Sequence, residues 1–278
     1  MSFSKVTKGL NFHHLALESL RPESLAKFYS SSLKMEAVKI SDSEWRCEGP
    51  HRKLIFRLGQ TNKLAFAGMS FENLSSLLKF KTRLKNSKVK TIKNPSPYFC
   101  DQSFAVKDPD GNIVTFGLVK LSDNTVNTKA PLQHLTFASM NVERFQNFYH
   151  DKLGFRITDR VLHKDGSIAT CFLTSNHEHH TVACFKSDRV GIDHHSYETG
   201  KWNYIRDWCD HFAGLGIRIL WGPGRHGPGN NLFVFIKDPD NNWIELSAEL
   251  ELAGQRDFKD WPQEEKTLNL WGEAIMRS

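Results

Sequence analysis

The amino-acid sequence predicts an α+β fold in which two tandem modules repeat one order of strands and helices. Three observations support this prediction: a globular composition, a repeat relating the two halves, and short apolar strands that alternate with amphipathic helices. The 278 residues are enough for two domains of ordinary size. Charged residues make up 24% and hydrophobic residues 39% of the chain, which is typical of a folded protein.

The composition also narrows the class of protein. No run of about 18 apolar residues occurs, so we expect no transmembrane helix and no membrane partner. The first residues lack the apolar core of a signal peptide. The 5 cysteines are scattered and form no CxxC pair, which indicates reduced thiols instead of a disulfide or zinc framework. We therefore expect a cytoplasmic protein.

The positive charge of the chain is concentrated in one segment. The formal net charge is +6 and the pI is about 9.0, and much of the excess lies in the lysine-rich residues 79–93. Such a segment could bind nucleic acid, or attract an acidic substrate through its field. No nucleic-acid-binding motif accompanies it, so we interpret it as a solvated helix surface followed by an edge strand and expect no nucleic-acid partner.

An internal repeat organises the chain. His14 and His134 lie in similar apolar stretches 120 residues apart, and a Phe-Tyr pair follows each at the same distance. Residues 104–116 resemble residues 234–246 at a separation of 130, and both segments contain Asp-Pro-Asp. Ordered matches at both ends of each half indicate one module per half. The larger separation at the second match predicts insertions in the second module.

Within the first module, the local patterns predict the elements in order. Alternating apolar residues indicate a strand at 14–17, and Pro22 suits the first turn of the helix that follows. Asp-Pro-Asp-Gly at 108–111 is a turn between two strands. The elements between them are strands at 45–47, 54–58 and 64–71 and a helix at 74–85.

The second module repeats this order. The patterns predict strands at 134–138, 168–173, 181–185, 195–198, 234–236 and 243–248, and helices at 142–152 and 202–215. The domain boundaries that follow are a first module at 1–120, a polar linker at 121–130, a second module at 131–252 and a C-terminal arm at 253–278.

Three polar residues of the second module lie in stretches that read as apolar strands. These are His134, His195 and Glu245. A buried imidazole or carboxylate is costly unless it is paired or bound to a metal. Two histidines and one carboxylate match the ligand set of a mononuclear site that leaves positions open for other ligands. The sequence therefore predicts a metal site in the second module.

The first module provides an internal comparison for these three residues. It carries His14, Met69 and Thr115 at the corresponding positions, so it offers one candidate ligand only. The choice of His195 over its neighbour His194 depends on aligning His195 with Met69, since adjacent strand residues point to opposite faces. We expect the first module to have no complete metal site.

From about residue 11 to residue 250, the chain resembles the two-module type I extradiol dioxygenases of the vicinal oxygen chelate, or glyoxalase–bleomycin resistance, superfamily. The resemblance implies two vicinal oxygen chelate modules, each a pair of βαβββ units curled into a cupped mixed sheet. It also implies Fe(II), or occasionally Mn(II), held by His134, His195 and Glu245. The implied partners are a catechol-type substrate and O2, in the catabolism of aromatic hydrocarbons, and the relatives imply a homo-oligomer.

Two further segments extend the resemblance. His179-His180-Thr-Val-Ala resembles the family segment whose second histidine is the acid–base residue, which implies that role for His180. Gly224-Arg-His-Gly-Pro-Gly resembles the loop whose histidine bonds a substrate oxygen, which implies His226. The alternatives are a surface histidine in a His-rich turn and a flexible glycine-rich rim.

One position departs from the family pattern. The family carries a tyrosine ten residues before the metal-binding glutamate, where this chain has Phe235. Phenylalanine cannot donate a hydrogen bond, so the role of the phenol must pass to His180, His226 or water. The candidates for the substrate-binding wall are Phe172, Tyr197, Phe233 and Phe235.

Two other functions are compatible with this superfamily. One is a metal-dependent glyoxalase-like isomerase or lyase, which carries out proton chemistry without oxygen. The other is a non-catalytic ligand-binding protein of the bleomycin-resistance type, which usually lacks the three metal ligands. The sequence leaves open which catechol is the substrate and on which side of the two hydroxyls its ring is cleaved.

Overall fold

The computed structural model describes residues 9–120 and 130–276, and each half of the chain forms one large mixed sheet. The first half contains two consecutive βαβββ units. Its elements are β1 (Asn11–Ser19), α1 (Pro22–Ser32), β2 (Glu36–Ser41), β3 (Glu44–Gly49), β4 (Arg52–Leu58), β5 (Lys63–Ser70), α2 (Leu74–Asn86), β6 (Thr91–Lys93), β7 (Phe104–Lys107) and β8 (Ile113–Gly117).

The second half repeats the two βαβββ units and adds two short elements in the arm. Its elements are β9 (Leu132–Ser139), α3 (Val142–Asn147), a π-helical segment (Phe148–Leu153), β10 (Arg156–Leu162), β11 (Ile168–Thr174), β12 (Val182–Lys186), β13 (Gly191–Glu198), α4 (Trp202–Gly214), β14 (Trp221–Arg225), β15 (Leu232–Lys237), β16 (Trp243–Ala248), β17 (Lys259–Pro262) and α5 (Glu265–Leu268).

The strand order confirms the predicted α+β fold and its repeat. The first sheet has the order β2-β3-β4-β1-β5-β8-β7-β6. The second has β10-β11-β12-β9-β13-β16-β15-β14, with β17 added at the β10 edge. In both sheets the two units meet where the first strand of each pairs antiparallel, β1 with β5 and β9 with β13. Residues 121–129 of the predicted linker lie outside the described residues.

The helices begin where the sequence favours them. Pro22 occupies the first turn of α1, where its missing N–H costs nothing. Asn73 caps α2, because its side chain accepts a hydrogen bond from the Ser76 N–H at 2.9 Å. The predicted helix at 142–152 divides into α3 and the π-helical segment, which is followed by Gly154 with φ of 85°. No helix among the described residues could span a membrane.

The C-terminal arm contributes a strand that the sequence did not predict. β17 pairs in parallel with the edge strand β10, with Asp159 opposite Lys259. β17 has no alternation of apolar residues, since its side chains are mostly exposed and the pairing is carried by the backbone. A period-two pattern of apolar residues arises only where one face of a strand is buried. The residues of β17 show no such pattern, so this strand could not be predicted from them.

The two modules pack through one continuous apolar core that includes residues of both. Reciprocal polar contacts cross this boundary. Tyr29 of α1 donates a hydrogen bond to Asp238 Oδ2 at 3.0 Å, and Tyr149 donates to Asp108 Oδ2 at 3.5 Å. Each aspartate opens an Asp-Pro-Asp turn and also accepts backbone N–H groups of that turn. The turn between β7 and β8 and the turn between β15 and β16 are therefore each tied to the opposite module.

We expect Tyr29→Phe to lower the free energy of unfolding by about 1–3 kcal/mol, because it leaves the buried Asp238 carboxyl without one of its donors. Tyr149→Phe is the matched control. Its hydrogen bond to Asp108 is longer, so the loss should be smaller. Urea unfolding of the three proteins measures both effects, and equal losses in the two variants would contradict the assigned difference.

Candidate metal centre and the adjoining cavity

Three buried side chains converge in the second sheet. The ligand atoms of His134, His194 and Glu245 all lie within 4.8 Å of one another. His134 Nε2 is 2.9 Å and His194 Nε2 is 3.4 Å from the same Glu245 oxygen, Oε2. The three residues are exposed by 1%, 5% and 1%. This is a two-histidine, one-carboxylate cluster screened from solvent.

Strand register places these side chains on one face. Ser196 of β13 is paired with His134 of β9 on one side and with Glu245 of β16 on the other. Residues opposite each other share a face, and so do residues two apart along a strand. His194 is two residues before Ser196, so it joins His134 and Glu245.

The predicted ligand His195 lies on the opposite face, and that assignment is wrong in this structure. The His195 Nε2 is 3.1 Å from the hydroxyl of Tyr29, at the boundary between the modules. Burial, together with the neighbouring His194 and His134 rings, lowers the pKa of His195 to about 3, so its ring is neutral. His195 is therefore a structural residue of the module boundary.

The error has a definite cause in the repeat. In the first sheet His14 pairs with Gly68, as His134 pairs with Ser196 in the second. The counterpart of His194 is therefore Phe66, while Met69 corresponds to Tyr197. Matching the two similar Ser-aromatic-Glu segments displaced the alignment by two residues and set His195 against Met69. Met69 is adjacent to Gly68, the residue that pairs with His14, so Met69 lies on the face away from His14 and could not mark a ligand position.

The two clustered histidines are oriented by their second ring nitrogens. His134 Nδ1 is 3.3 Å from Gln133 Oε1, and His194 Nδ1 is 2.6 Å from Asp193 Oδ1. Both partners are oxygen acceptors, so both Nδ1 atoms carry a proton and both Nε2 atoms can present a lone pair to the centre. Metal-binding histidines in proteins have this arrangement.

The carboxylate of the cluster is held ionised. Burial alone would raise the pKa of Glu245, but the His134 and His194 rings beside it keep that pKa well below its ordinary value. Its second oxygen, Oε1, accepts a hydrogen bond from Asn231 Nδ2 at 3.1 Å. Burial lowers the pKa of His194, but hydrogen bonds to Asp193 and Glu245 outweigh it and the net change is upward.

The donor set fits a divalent first-row metal ion. Two imidazole nitrogens and one carboxylate oxygen would supply three ligands, a set that leaves a metal ion able to bind a substrate as well. Without an ion, the buried Glu245 charge depends on protons shared with His134 and His194, whereas an ion would satisfy all three groups together.

A cavity adjoins the cluster, and most of the candidate site residues predicted from the sequence lie in its walls. Phe172, Phe235, His180 and His226 all line it. The His180 ring centre is 4.3 Å from that of His134 and 5.2 Å from that of Phe172. Burial, reinforced by the His134 and His179 rings, holds the pKa of His180 well below its ordinary value.

His226 lies on the other side of Glu245. Its Nε2 is 3.7 Å from Glu245 Oε1, and its Nδ1 donates to the carbonyl of Leu268 at 2.5 Å. The ring stacks on Phe233 with centres 3.9 Å apart. Phe233 therefore supports His226 from behind. The glycine-rich segment thus holds the His226 ring between Phe233 and the Leu268 carbonyl.

Of the other two aromatic candidates for substrate binding, Phe235 lines the cavity and Tyr197 does not. Phe235 lies in the cavity wall, with its ring edge-on to His194 at 5.2 Å and stacked on Trp221 at 5.3 Å. Tyr197 is fully buried on the face of β13 that carries His195, and their rings are 5.4 Å apart. The prediction that Tyr197 binds substrate is therefore wrong in this structure, for the same reason of register.

Several wall residues were missed in the sequence. Thr136, whose Oγ1 is 3.0 Å from His194 Nε2, is two residues from His134 and could have been found by strand alternation. The others come from distant segments and carry no local signal. They are Phe185, Trp221, Pro228, Asn231, Thr267, Leu268 and Ile275, the last three from the arm.

The corresponding place in the first module has a different composition. His14 faces Phe66, with ring centres 5.8 Å apart, where the second module has His134 and His194. The rings of Tyr98 and Phe99 lie 5.2 and 4.9 Å from His14. Thr115 stands in place of the glutamate. His13 adds a second imidazole, with its Nδ1 2.8 Å from that of His14, but the described residues of the first module form no group of three potential metal ligands here.

The fold and site define a class: a protein of four βαβββ units with a two-histidine, one-carboxylate cluster in its second module. Residues 11–116 and 132–246 match the profile of the Glyoxalase/Bleomycin resistance protein/Dioxygenase superfamily. The chain belongs to this superfamily.

Known proteins resemble the chain over most of its length. Metapyrocatechase 2 of Cupriavidus necator is 28% identical over 274 residues, covering 86% of this chain and 80% of that protein. Homoprotocatechuate 2,3-dioxygenase of Arthrobacter globiformis superposes with a TM-score of 0.81 at 19% identity, covering 97% and 89%. The Mn(II)-bound glyoxalase of Novosphingobium aromaticivorans superposes with a TM-score of 0.79 at 19% identity, covering 95% and 91%. These structures share the fold of this chain.

A matched pair of variants tests the ligand assignment. We expect His194→Gln to lower the affinity for Fe(II) or Mn(II) at least ~100-fold, since even changes to partners of metal ligands cost about 10- to 100-fold. His195→Gln should leave the affinity unchanged, because the amide can still donate to Tyr29. Anaerobic metal titration measures both, with circular dichroism as the control for folding. A greater loss in the His195 variant would overturn the assignment.

Proposed function

We propose that this protein is a non-haem Fe(II)-dependent extradiol dioxygenase, which opens the ring of a catechol-type substrate with O2. The observation that carries the proposal is a buried two-histidine, one-carboxylate cluster that adjoins a cavity containing two more histidines. The names of the metapyrocatechase and homoprotocatechuate dioxygenase relatives support the reaction class.

The protein would hold the metal through His134 Nε2, His194 Nε2 and a Glu245 carboxylate oxygen. Bound Fe(II) would supply a site for both catechol oxygens and for dioxygen, and would favour the ionised form of the bound hydroxyl. Mn(II) is an alternative occupant of the same ligand set. The hydrogen bonds from His134 to Gln133 and from His194 to Asp193 would preserve the ring orientations in either case.

His180 and His226 would handle the substrate protons. His180 lies beside His134 in the cavity wall, where it can accept a proton from one catechol hydroxyl and return it later as an acid. His226 donates through Nδ1 to the Leu268 carbonyl, so a neutral ring presents Nε2 as an acceptor to a substrate hydroxyl. Phe235 has no hydroxyl, so these proton transfers would not require a phenol at that position.

The remaining walls favour a substrate with an uncharged substituent. Apart from the four histidines and Glu245, the cavity is lined mostly by aromatic and aliphatic side chains, with Thr136, Asn231 and Thr267 as neutral polar groups. None of the described residues that line it is lysine or arginine. A carboxylated side chain on the catechol would lose its hydration there without a cationic partner. An alkyl or aryl substituent would instead gain apolar contact.

The second candidate is a metal-dependent glyoxalase-like isomerase or lyase. It is favoured by one specific observation, the similarity in fold to a Mn(II)-bound glyoxalase at a TM-score of 0.79. The same three ligands can activate a bound substrate for proton transfer without oxygen. The requirement for O2 therefore separates the two reactions.

We expect protein reconstituted anaerobically with Fe(II) to consume O2 when a catechol is added and to form a yellow ring-opened product. An alkyl catechol should give kcat/KM at least ~10-fold above that of 3,4-dihydroxyphenylacetate, because a few kcal/mol of carboxylate desolvation are not repaid. An oxygen electrode and visible absorbance measure both, with metal-free protein as the control. Turnover of a glyoxalase substrate without O2 uptake would favour the second candidate, and ligand binding without turnover would favour a binding protein.

The role of His180 is tested against a neighbouring histidine. We expect His180→Gln to lower kcat about 10²- to 10⁴-fold with normal metal content, because an amide cannot exchange a proton near neutral pH. His177→Gln is the control, since His177 lies in the same turn but is exposed. Steady-state oxygen uptake and metal analysis distinguish the variants. Full activity of the His180 variant would remove it from the mechanism.

A further inference from the structure

A second group of polar residues lies directly behind the cavity wall. Asp159 of β10 is fully buried. Its carboxylate accepts hydrogen bonds from both Nη atoms of Arg256 at 2.8 and 2.5 Å, from the Lys259 N–H at 3.0 Å and from Trp261 Nε1 at 2.8 Å. Burial would raise the pKa of Asp159, but Arg256, His179 and Trp261 lower it to about 2. Asp159 is therefore a fixed acceptor.

This acceptor is connected to the cavity through two adjacent rings. Asp159 Oδ2 is 3.2 Å from His179 Nε2, and His179 Nδ1 is 3.1 Å from His180 Nδ1. Both histidines are 4% exposed. The hydrogen bond from the His179 backbone N–H to the Glu251 carbonyl at 2.8 Å fixes the segment that carries both rings.

The chemistry of these contacts determines the proton positions. An ionised carboxylate only accepts, so His179 Nε2 must carry a proton to bond Asp159. A neutral His179 then has a lone pair on Nδ1. His180 Nδ1 must carry the proton shared between the two rings, and a neutral His180 is left with its lone pair on Nε2. The positive charge that faces the Asp159 carboxylate is supplied by Arg256, which bonds both of its oxygens.

We propose that Asp159 and His179 act as positioning residues that fix the ring tautomer of His180, so that Nε2 is its proton acceptor for the cavity. The inference rests on the proposed function in so far as His180 handles substrate protons. The opposite tautomer would place a proton on Nε2, and His180 could then only donate to an incoming hydroxyl.

One contact competes with this arrangement. Arg256 Nη2 is 3.5 Å from His179 Nε2, and a hydrogen bond from the guanidinium would require a lone pair on that nitrogen. Both rings would then adopt the opposite tautomers. The Asp159 oxygen is nearer to His179 Nε2, at 3.2 Å, than the Arg256 nitrogen, at 3.5 Å. The geometry therefore favours the Asp159 contact.

Two substitutions of His179 separate tautomer control from packing. In His179→Asn the amide oxygen can occupy the place of Nδ1 and accept from His180. In His179→Gln the amide reaches the place of Nε2 and can bond Asp159, but His180 Nδ1 loses its acceptor. Nitrogen-15 NMR of histidine-labelled, metal-free protein is the primary measurement, because protonated and unprotonated ring nitrogens have well-separated shifts. His180→Gln assigns the signals.

We expect His180 to be protonated at Nδ1 and unprotonated at Nε2 in the unaltered protein and in His179→Asn, and to become a mixture in His179→Gln. In the Fe(II) enzyme, kcat should fall about 10- to 100-fold in His179→Gln with KM nearly unchanged, and recover in His179→Asn. A proton on Nε2 in the unaltered protein, or identical His180 spectra in all three proteins, would overturn the inference. The expected spectra without catechol turnover would refute the proposed function and leave the tautomer assignment standing.

Discussion

The site depends on one costly feature, the burial of the Glu245 carboxylate inside a sheet. A carboxylate that is 1% exposed must be compensated by hydrogen bonds and positive charge. His134, His194 and Asn231 supply contacts at 2.9, 3.4 and 3.1 Å. Replacing any of these residues by an apolar one would remove a contact that compensates the buried charge. The side chains around Glu245 therefore depend on one another. A divalent ion at their centre is the simplest complete compensation.

The sequence was sufficient for the fold and for the kind of site, but not for the register of one strand. The repeat of His14 in His134 and the Asp-Pro-Asp turns located both modules, and the polar residues in apolar strands identified the module with the site. The choice between His194 and His195 required knowing which residue of β13 faces His134. The segment allowed two alignments with the first module, and only the pairing of Ser196 with His134 decides between them.

Contacts between segments that are distant in the chain could not be predicted from local sequence patterns. The arm contributes Leu268 to the cavity wall and Trp261 to the carboxylate of Asp159, yet nothing in its polar composition indicates either role. Its strand β17 is recognisable only beside the edge strand that it extends. Such contacts arise from tertiary pairing and not from propensity, so a single sequence carries no signal for them. The arm therefore connects the cavity wall to the network behind His180.

Comparison of the two modules explains why adjacent histidines of β13 have unrelated roles. In the first module, Phe66 and Ala67 occupy the places of His194 and His195, and neither face needs a polar partner there. In the second, His194 faces Glu245 while His195 reaches across the boundary to Tyr29, whose hydroxyl also bonds Asp238. The strand that supplies a ligand to the cluster is thus held from its other face by the first module. The first module, whose described residues contain no such cluster, therefore stabilises the strand register on which the site of the second module depends.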